Sequence, residues 1–268
     1  MTRLIGVPMK TRFLLEFASM SDTGQVRSHN EDALIVSLDA GYAVLADGMG
    51  GYNAGEVASN MATAIIQQVI EQTLLASAES AVVAKDNSPL APATLLIDAV
   101  DAANLAILEA SLLEPDYRGM GTTVVVALFH DDGVTIAHVG DSRAYRLRDG
   151  ALVQITRDHS LLQEQLDAGL ITLEQARFAQ HKNLITRAVG VDVVVETETG
   201  YFDVAPGDCF LLCSDGLTDM LNDSGIAEIV NASVDDITTA SRDLVAQANE
   251  LGGRDNISVI LVRVACVV

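Results

Sequence analysis

Four aspartates close apolar, strand-like runs of this chain or open the loop beyond them: Asp47 in VLADGMGG (44–51), Asp141 in IAHVGDSR (136–143), Asp215 in CFLLCSDGLTD (209–219) and Asp255 in GGRDNISVILV (252–262). A carboxylate is seldom left charged against apolar surroundings unless something pairs it, and no basic residue recurs beside all four. Four such ends meeting in space make an oxygen-lined cage for hard divalent cations. Asp before Gly is also an ordinary turn signal, so any one of these sites alone reads as a strand end closed by a tight loop. Repetition favours the metal reading, because each run is rich in Val, Ile, Leu or Phe and stops at the same residue type among small neighbours.

Asp47 and Gly48 set one carboxylate that can bridge two cations beside one carbonyl that glycine lets turn inward. Asp215 and Asp255 can hold one or both ions from the opposite side, with water completing the coordination. A ligand set without histidine or thiolate favours Mg²⁺ or Mn²⁺ over Zn²⁺. Two such ions about 3.5–4 Å apart lower the pKa of a bridging water and clamp a phosphoryl oxygen for in-line attack, so no protein nucleophile is needed. Arg27, in the polar loop TGQVRSHNEDA (23–33), suits the phosphate, since its planar fork matches two oxygens. Its plainer role is a surface salt bridge to Glu31 or Asp32.

The elements that must position these residues follow from the pattern. Apolar runs on either side of the 23–33 loop, the second being YAVLA (42–46), suggest antiparallel pairing that ends in Asp47. From Gly55 to about Ala84 small and apolar residues recur at helical spacing. KDNSPLAPA (85–93), with two prolines, is expected as a connector before a second long helix over 94–113, and the two helices should cover one sheet face. GMGTTVVVALF (119–129), a turn at DDG (131–133) and VTIAHVGD (134–141) read as a hairpin with Asp141 at its tip. Residues 142–156 form another strand pair turned at Asp149 and Gly150, and 158–181 is a polar, helix-like excursion over the surface. Strands at 193–204 and 209–214, helices near 224–231 and 236–250, and a strand at 257–262 complete the chain. This order favours an α+β fold of two packed antiparallel sheets with helices outside.

A chain of 268 residues, 49% of them apolar, builds a substantial globular core. Its 37 acidic against 16 basic side chains, a formal charge of −21, oppose binding to nucleic acid or an anionic bilayer. Bound cations relieve part of that repulsion. No run is long enough for membrane insertion, and FLLEFASM (13–20), interrupted by Glu16, is short for a signal sequence, so a cytoplasmic location is expected. Cys209, Cys213 and Cys266 lie in apolar settings and read as buried thiols. His138 reads as a partly buried structural residue, and His159 and His181 as packing at the ends of the excursion. GMGG and GMGTT lack the following lysine of a nucleotide loop, and there is no Gly-x-Ser-x-Gly elbow.

VRSHNED (26–32), VLADGMGG, GMGTT (119–123), VGDSR (139–143), LLCSDGLTD (211–219) and GGRDNISVILV, in this order and at these intervals, resemble the signature blocks of the PPM/PP2C family of metal-dependent serine/threonine protein phosphatases, in its compact bacterial form. The resemblance spans residues 13–264 and implies a single domain with a four-layer α-β-β-α sandwich and a flap at about 158–181. It implies hydrolysis of phosphoserine and phosphothreonine by a bridging, metal-bound hydroxide. Asp47 then bridges two Mn²⁺ or Mg²⁺ ions, the Gly48 carbonyl, Asp215 and Asp255 ligate them, and Glu31 and Asp32 act through coordinated water. Arg27 grips the phosphoryl group. Asp141, with Asp215, resembles the site of a weaker third cation, although it can instead fix Arg143, and Asp219 can assist there or cap a helix.

Met49 stands where many eukaryotic members carry histidine, so leaving-group protonation needs metal-bound water or another acid. His29 is the histidine nearest Arg27 in sequence. The implied partners are phosphorylated proteins, targets of a serine/threonine kinase or the kinase itself, acted on by a monomer. The alternatives are a catalytically weak phosphoprotein-binding module of the same fold, a small-molecule phosphatase, and a structural Ca²⁺ protein that gives Arg27 no purpose.

Overall fold

The computed structural model describes residues 4–6, 13–51, 54–79, 90–131, 133–176 and 184–266. Twelve strands in the described residues form two antiparallel sheets. The first runs β1 (Leu4–Gly6), β2 (Phe13–Asp22), β12 (Ile257–Cys266), β11 (Cys209–Cys213), β8 (Arg143–Arg148) and β9 (Ala151–Gln154). The second runs β10 (Glu198–Asp203), β7 (Gly133–Val139), β6 (Val124–His130), β4 (Tyr42–Met49) and β3 (Asp32–Ser37), with the short β5 (Gly121–Thr122) paired to the end of β4.

Period-two burial explains how the sheets stack. Along β4, Ala43 and Leu45 face the other sheet while Tyr42, Val44 and Ala46 face helices. Along β12, Ile260, Val262 and Val264 point into the same inter-sheet core, and Ile257, Val259 and Leu261 point the other way. Phe129 meets Phe17 and Phe210 edge-on across that core, at centroid distances of 6.3 and 5.4 Å. The outer face of the second sheet is covered by α1 (Ala54–Glu79) and α2 (Leu90–Leu113), whose alanines at 58, 62, 99 and 103 allow close packing. The outer face of the first sheet is covered by α6 (Asp223–Ala232) and α7 (Ile237–Glu250). In α7 the buried residues Ile237, Ala240, Ser241, Leu244, Val245 and Ala248 mark one helical stripe, and Asp236 caps the first turn by accepting from the Thr239 N–H at 3.3 Å. The α-β-β-α order expected from the sequence is the one observed.

Several boundaries differ from the sequence expectation. The α2 helix starts at Leu90, so the last four residues of the expected connector are helical; Pro92 falls in the first turn, where its missing N–H costs nothing. The rest of that connector, the expected end of the first helix and His181 lie outside the described residues. β3 is a strand that the sequence reading left in an unassigned gap. Thr123 breaks the expected 119–129 run into β5 and β6. Asp141 is not at the tip of the β6–β7 hairpin, which turns at Asp131, but beyond its open end in the turn toward β8. Residues 193–197 are not strand, and Val193 and Val194 are exposed there. The polar excursion contains α3 (Leu161–Asp167) and α4 (Leu173–Ala176).

Candidate metal centre and active site

Strand register carries the acidic residues to one edge of the sandwich. Asp32 and Asp47 are Cα partners across β3 and β4. On the other sheet Cys213 pairs with Val259, which sets Asp215 just after β11 and Asp255 just before β12. Asp215 also begins the one-turn helix α5 (Asp215–Thr218). A cleft of about 360 Å³ results, lined by Arg27, Glu31, Asp47, Gly48, Met49, Asp141, Ile185, Asp215 and Asp255 among others. Of the residues to which the sequence assigned metal or phosphate, Asp32, and Asp219 as an assistant at the third cation, are outside this lining. Asp32 lies beside Asp47 and accepts a hydrogen bond from Ser214 Oγ at 2.9 Å.

The electrostatics are those of an anionic cage. Burial, then Asp32, Asp215, Asp141 and Asp255, pushes the Asp47 carboxyl well above the usual carboxylate range. Burial, then Asp141, Asp219, Asp255 and Asp32, does the same to Asp215. Burial raises Asp32 to about 6 against hydrogen bonds from Ser258 and Ser214. Asp141 is raised to about 6 by burial and by Asp158. Glu31 Oε1, Asp32 Oδ1 and Asp141 Oδ1 are buried with no hydrogen-bond partner. Crowded carboxylate oxygens without donors fit a hard divalent cation, which supplies the missing positive charge.

Arg27 stands half exposed at the mouth, and its Nη2 donates to Asp255 Oδ2 at 2.6 Å. Its ion-pair partner is therefore Asp255, neither Glu31 nor Asp32 as the plainer reading had it. Arg143 binds Asp158 through three contacts of 2.6–3.1 Å, which leaves Asp141 free of that task. Asp219 ends α5, its N–H donating to the Asp215 carbonyl at 2.8 Å. His29 lies outside the cleft lining, with Nε2 at 3.4 Å from Glu31 Oε1. Cys209 and Cys213 are free and buried, and burial pushes both thiols up to about 12.

Two structural devices hold the cage. A Cβ on Gly48 would stand 2.0 Å from the Gly55 carbonyl oxygen, so the end of β4 and the start of α1 touch backbone to backbone. Asn256, to which the sequence reading gave no role, ties three segments together. Its Oδ1 accepts from the Glu31 N–H at 2.7 Å, and its Nδ2 donates to the carbonyls of Thr23 and His29 at 3.0 Å. Thr123 was also missed: its Oγ1 accepts from the Asp47 N–H at 3.2 Å and bonds Ser142 Oγ at 2.7 Å. The only available signal was their position inside the quoted DNIS and GMGTT blocks. A second titratable group lies apart from the cleft lining, where His138, His159 and Glu198 bring possible ligand atoms within 4.8 Å of one another.

No helix among the described residues is long and apolar enough to cross a membrane. The family model of protein phosphatase 2C matches residues 24–249. The serine/threonine phosphatase Stp of Listeria monocytogenes (strain F2365) is 39% identical over 246 residues, covering 90% of this chain and 93% of the relative. The serine/threonine protein phosphatase PstP of Mycobacterium tuberculosis is 37% identical over 253 residues, or 94% of this chain, which spans only 45% of that protein. The crystal structure of M. tuberculosis PstP/Ppp superposes with a TM-score of 0.83 at 36% identity, covering 94% of this chain and 99% of that one. The PstP catalytic domain in complex with two manganese ions gives 0.80 at 36% identity, with the same coverage. The chain belongs to the PPM/PP2C family of serine/threonine phosphatases, in its compact bacterial form.

Proposed function

We propose that this chain hydrolyses phosphoserine and phosphothreonine on proteins, with Asp47, the Gly48 carbonyl, Asp215 and Asp255 holding two Mn²⁺ or Mg²⁺ ions. The observation that carries this reading is the convergence of carboxylates from both sheets on one cleft with a guanidinium at its mouth. When bound, the ions supply a water of lowered pKa and offset charge on the phosphoryl oxygens. The chain's own residues do the rest. Arg27, able to swing from Asp255 onto an incoming phosphoryl group, binds and orients it. Glu31 and Asp32 hold and polarise water at the rim of the cage, with Asp32 steadied by Ser214.

Asp141 belongs with Asp215 at a weaker third cation. This is supported by its partnerless Oδ1 and by the raised carboxyls of Asp141 and Asp215, each pushed up by burial and, among its neighbours, by Asp219. Met49 lines the cleft and carries no proton to give, so the leaving alkoxide takes its proton from water or another acid. Residues 13–264 form one domain, and 158–181 act as a flap beside the substrate. The substrates are targets of a serine/threonine kinase, or the kinase itself, met by a monomer. Free, buried cysteines suit a reducing cytoplasmic setting.

The test is phosphate release from a phosphothreonine peptide by metal-free protein titrated with Mn²⁺, Mg²⁺ and Ca²⁺. Turnover with Mn²⁺ or Mg²⁺ that disappears in Asp47→Asn is expected. Folded, metal-loaded protein without turnover would transfer the assignment to a phosphoprotein-binding module.

A further inference from the structure

We infer that His159 is a positioning residue for this reaction, clamping both ends of the flap to the turn that presents Asp141. The inference rests on the phosphatase reading above. The two ends of the flap meet through the main chain of His159 and its neighbours. The His159 carbonyl accepts from the Thr186 N–H at 2.8 Å, and the Leu161 N–H donates to the Leu184 carbonyl at 2.9 Å. Ser160 bridges to Ile185, and Ile185 lines the catalytic cleft.

The same residue holds Gly140, the neighbour of Asp141, from two sides. The His159 N–H donates to the Gly140 carbonyl at 2.9 Å, and His159 Nδ1 accepts from the Gly140 N–H at 3.1 Å. Gly140 has φ of +103° and no room to slide, since a Cβ there would stand 2.7 Å from the Thr123 side chain. Thr123 in turn holds the Asp47 N–H.

Acceptance at Nδ1 fixes the tautomer, so Nε2 carries the proton and faces Glu198 Oε2 at 3.3 Å, with Arg187 Nη1 at 3.5 Å. The ring stacks on His138 with centroids 4.6 Å apart and planes 18° apart, and His138 is itself fixed by the Arg157 carbonyl at 2.8 Å. In-plane lone pairs on nearly parallel rings do not converge, and that of His159 is already engaged. The trio with Glu198 therefore serves orientation better than it serves an ion, despite its close ligand atoms.

The variants His159→Asn, His159→Gln and His159→Leu separate the roles. Asn places an acceptor near the Nδ1 position, whereas Gln reaches only the Nε2 position. With folding checked by thermal melting, Gln and Leu should lower kcat on a phosphothreonine peptide about 10–100-fold, the size expected when a group at the site is misplaced by about 1 Å. Asn should stay within about 3-fold of the parent. Amide exchange at Gly140 should accelerate in the Gln and Leu proteins and not in the Asn protein, a readout that does not need turnover. Unchanged Gly140 exchange in His159→Gln, or an Asn variant as impaired as Leu, would overturn the inference. A parent protein without metal-dependent turnover would sink the phosphatase reading, while the exchange result still decides whether His159 clamps the turn.

Discussion

Asp32 and Asp47 face each other as paired residues of β3 and β4, both carboxyls raised by burial and by surrounding acids. A fold that sets like charges across one ladder gains nothing from them by itself. What they provide is a demand for positive charge.

The first consequence is a pH dependence of the metal-free protein. Asp32 and Asp141 have folded pKa values of about 6, above the ordinary 3.8, so the folded state binds more protons than the unfolded one between those values. Their favourable contribution is present below the unfolded value and is lost as pH rises through about 6. Each group then costs on the order of 1–3 kcal/mol at neutral pH. Melting in chelator should give a lower Tm at pH 7 than at pH 5, and excess Mn²⁺ at pH 7 should reverse the loss. A metal-free Tm that climbs from pH 5 to pH 7 would contradict the cage electrostatics.

Asp47→Asn removes one of these charges while keeping the shape. Activity should fall by at least about 10³-fold, as for loss of a bridging ligand in two-metal catalysis. The metal-free protein should nonetheless melt no lower than the parent, because a repelled buried carboxylate has gone. Calorimetry without and with Mn²⁺ separates the two effects.

Arg27→Ala should act on substrate handling and hardly on stability. The guanidinium is half exposed, and its pair with Asp255 is a surface ion pair contributing less than about 1 kcal/mol. Turnover of a phosphopeptide should drop roughly 10–100-fold, as loss of a bidentate phosphate contact requires. An unchanged kcat/KM would remove Arg27 from the site.

Arg148→Ala makes the opposite case. Asp208 is 1% exposed and takes both of its Arg contacts, at 2.7 Å each, from Arg148, far from the acidic cleft. Removing the arginine leaves the buried carboxylate without its counter-charge, held by the Ala205 N–H at 2.8 Å, and should cost about 3–5 kcal/mol. Denaturant unfolding reads that loss, while kcat at a temperature where the variant is folded should match the parent.

The Asp-bearing strand ends were legible in the sequence because each is a β-branched run stopped by the same residue type, and period two then dictates which face meets which layer. Arg27's partner was not, because Asp255 is 228 residues away and only the closing of β12 against β2 brings it near. Asn256 was equally hidden: nothing local shows that one amide will hold segments 23, 29 and 31. β3 escaped because its few apolar residues follow the charged HNED run, and its identity as a strand comes from pairing with β4. The 193–197 segment misled in the other direction, since three consecutive valines carry strand propensity that tertiary context does not use.

The sheet that carries Asp32, Asp47 and Asp141 cannot finish the cage without Asp215 and Asp255 from the other, and in that other sheet β12 lies between β2 and β11. In chain order Asp32, Asp47 and Asp141 therefore come before the two carboxylates that complete the acidic cluster. Until residues 255–266 have slotted in beside β2, the acidic cluster lacks Asp255 and the sheet lacks the strand between β2 and β11. Closure of the first sheet and completion of the acidic cluster are thus one event, and a molecule opened at β12 loses both together.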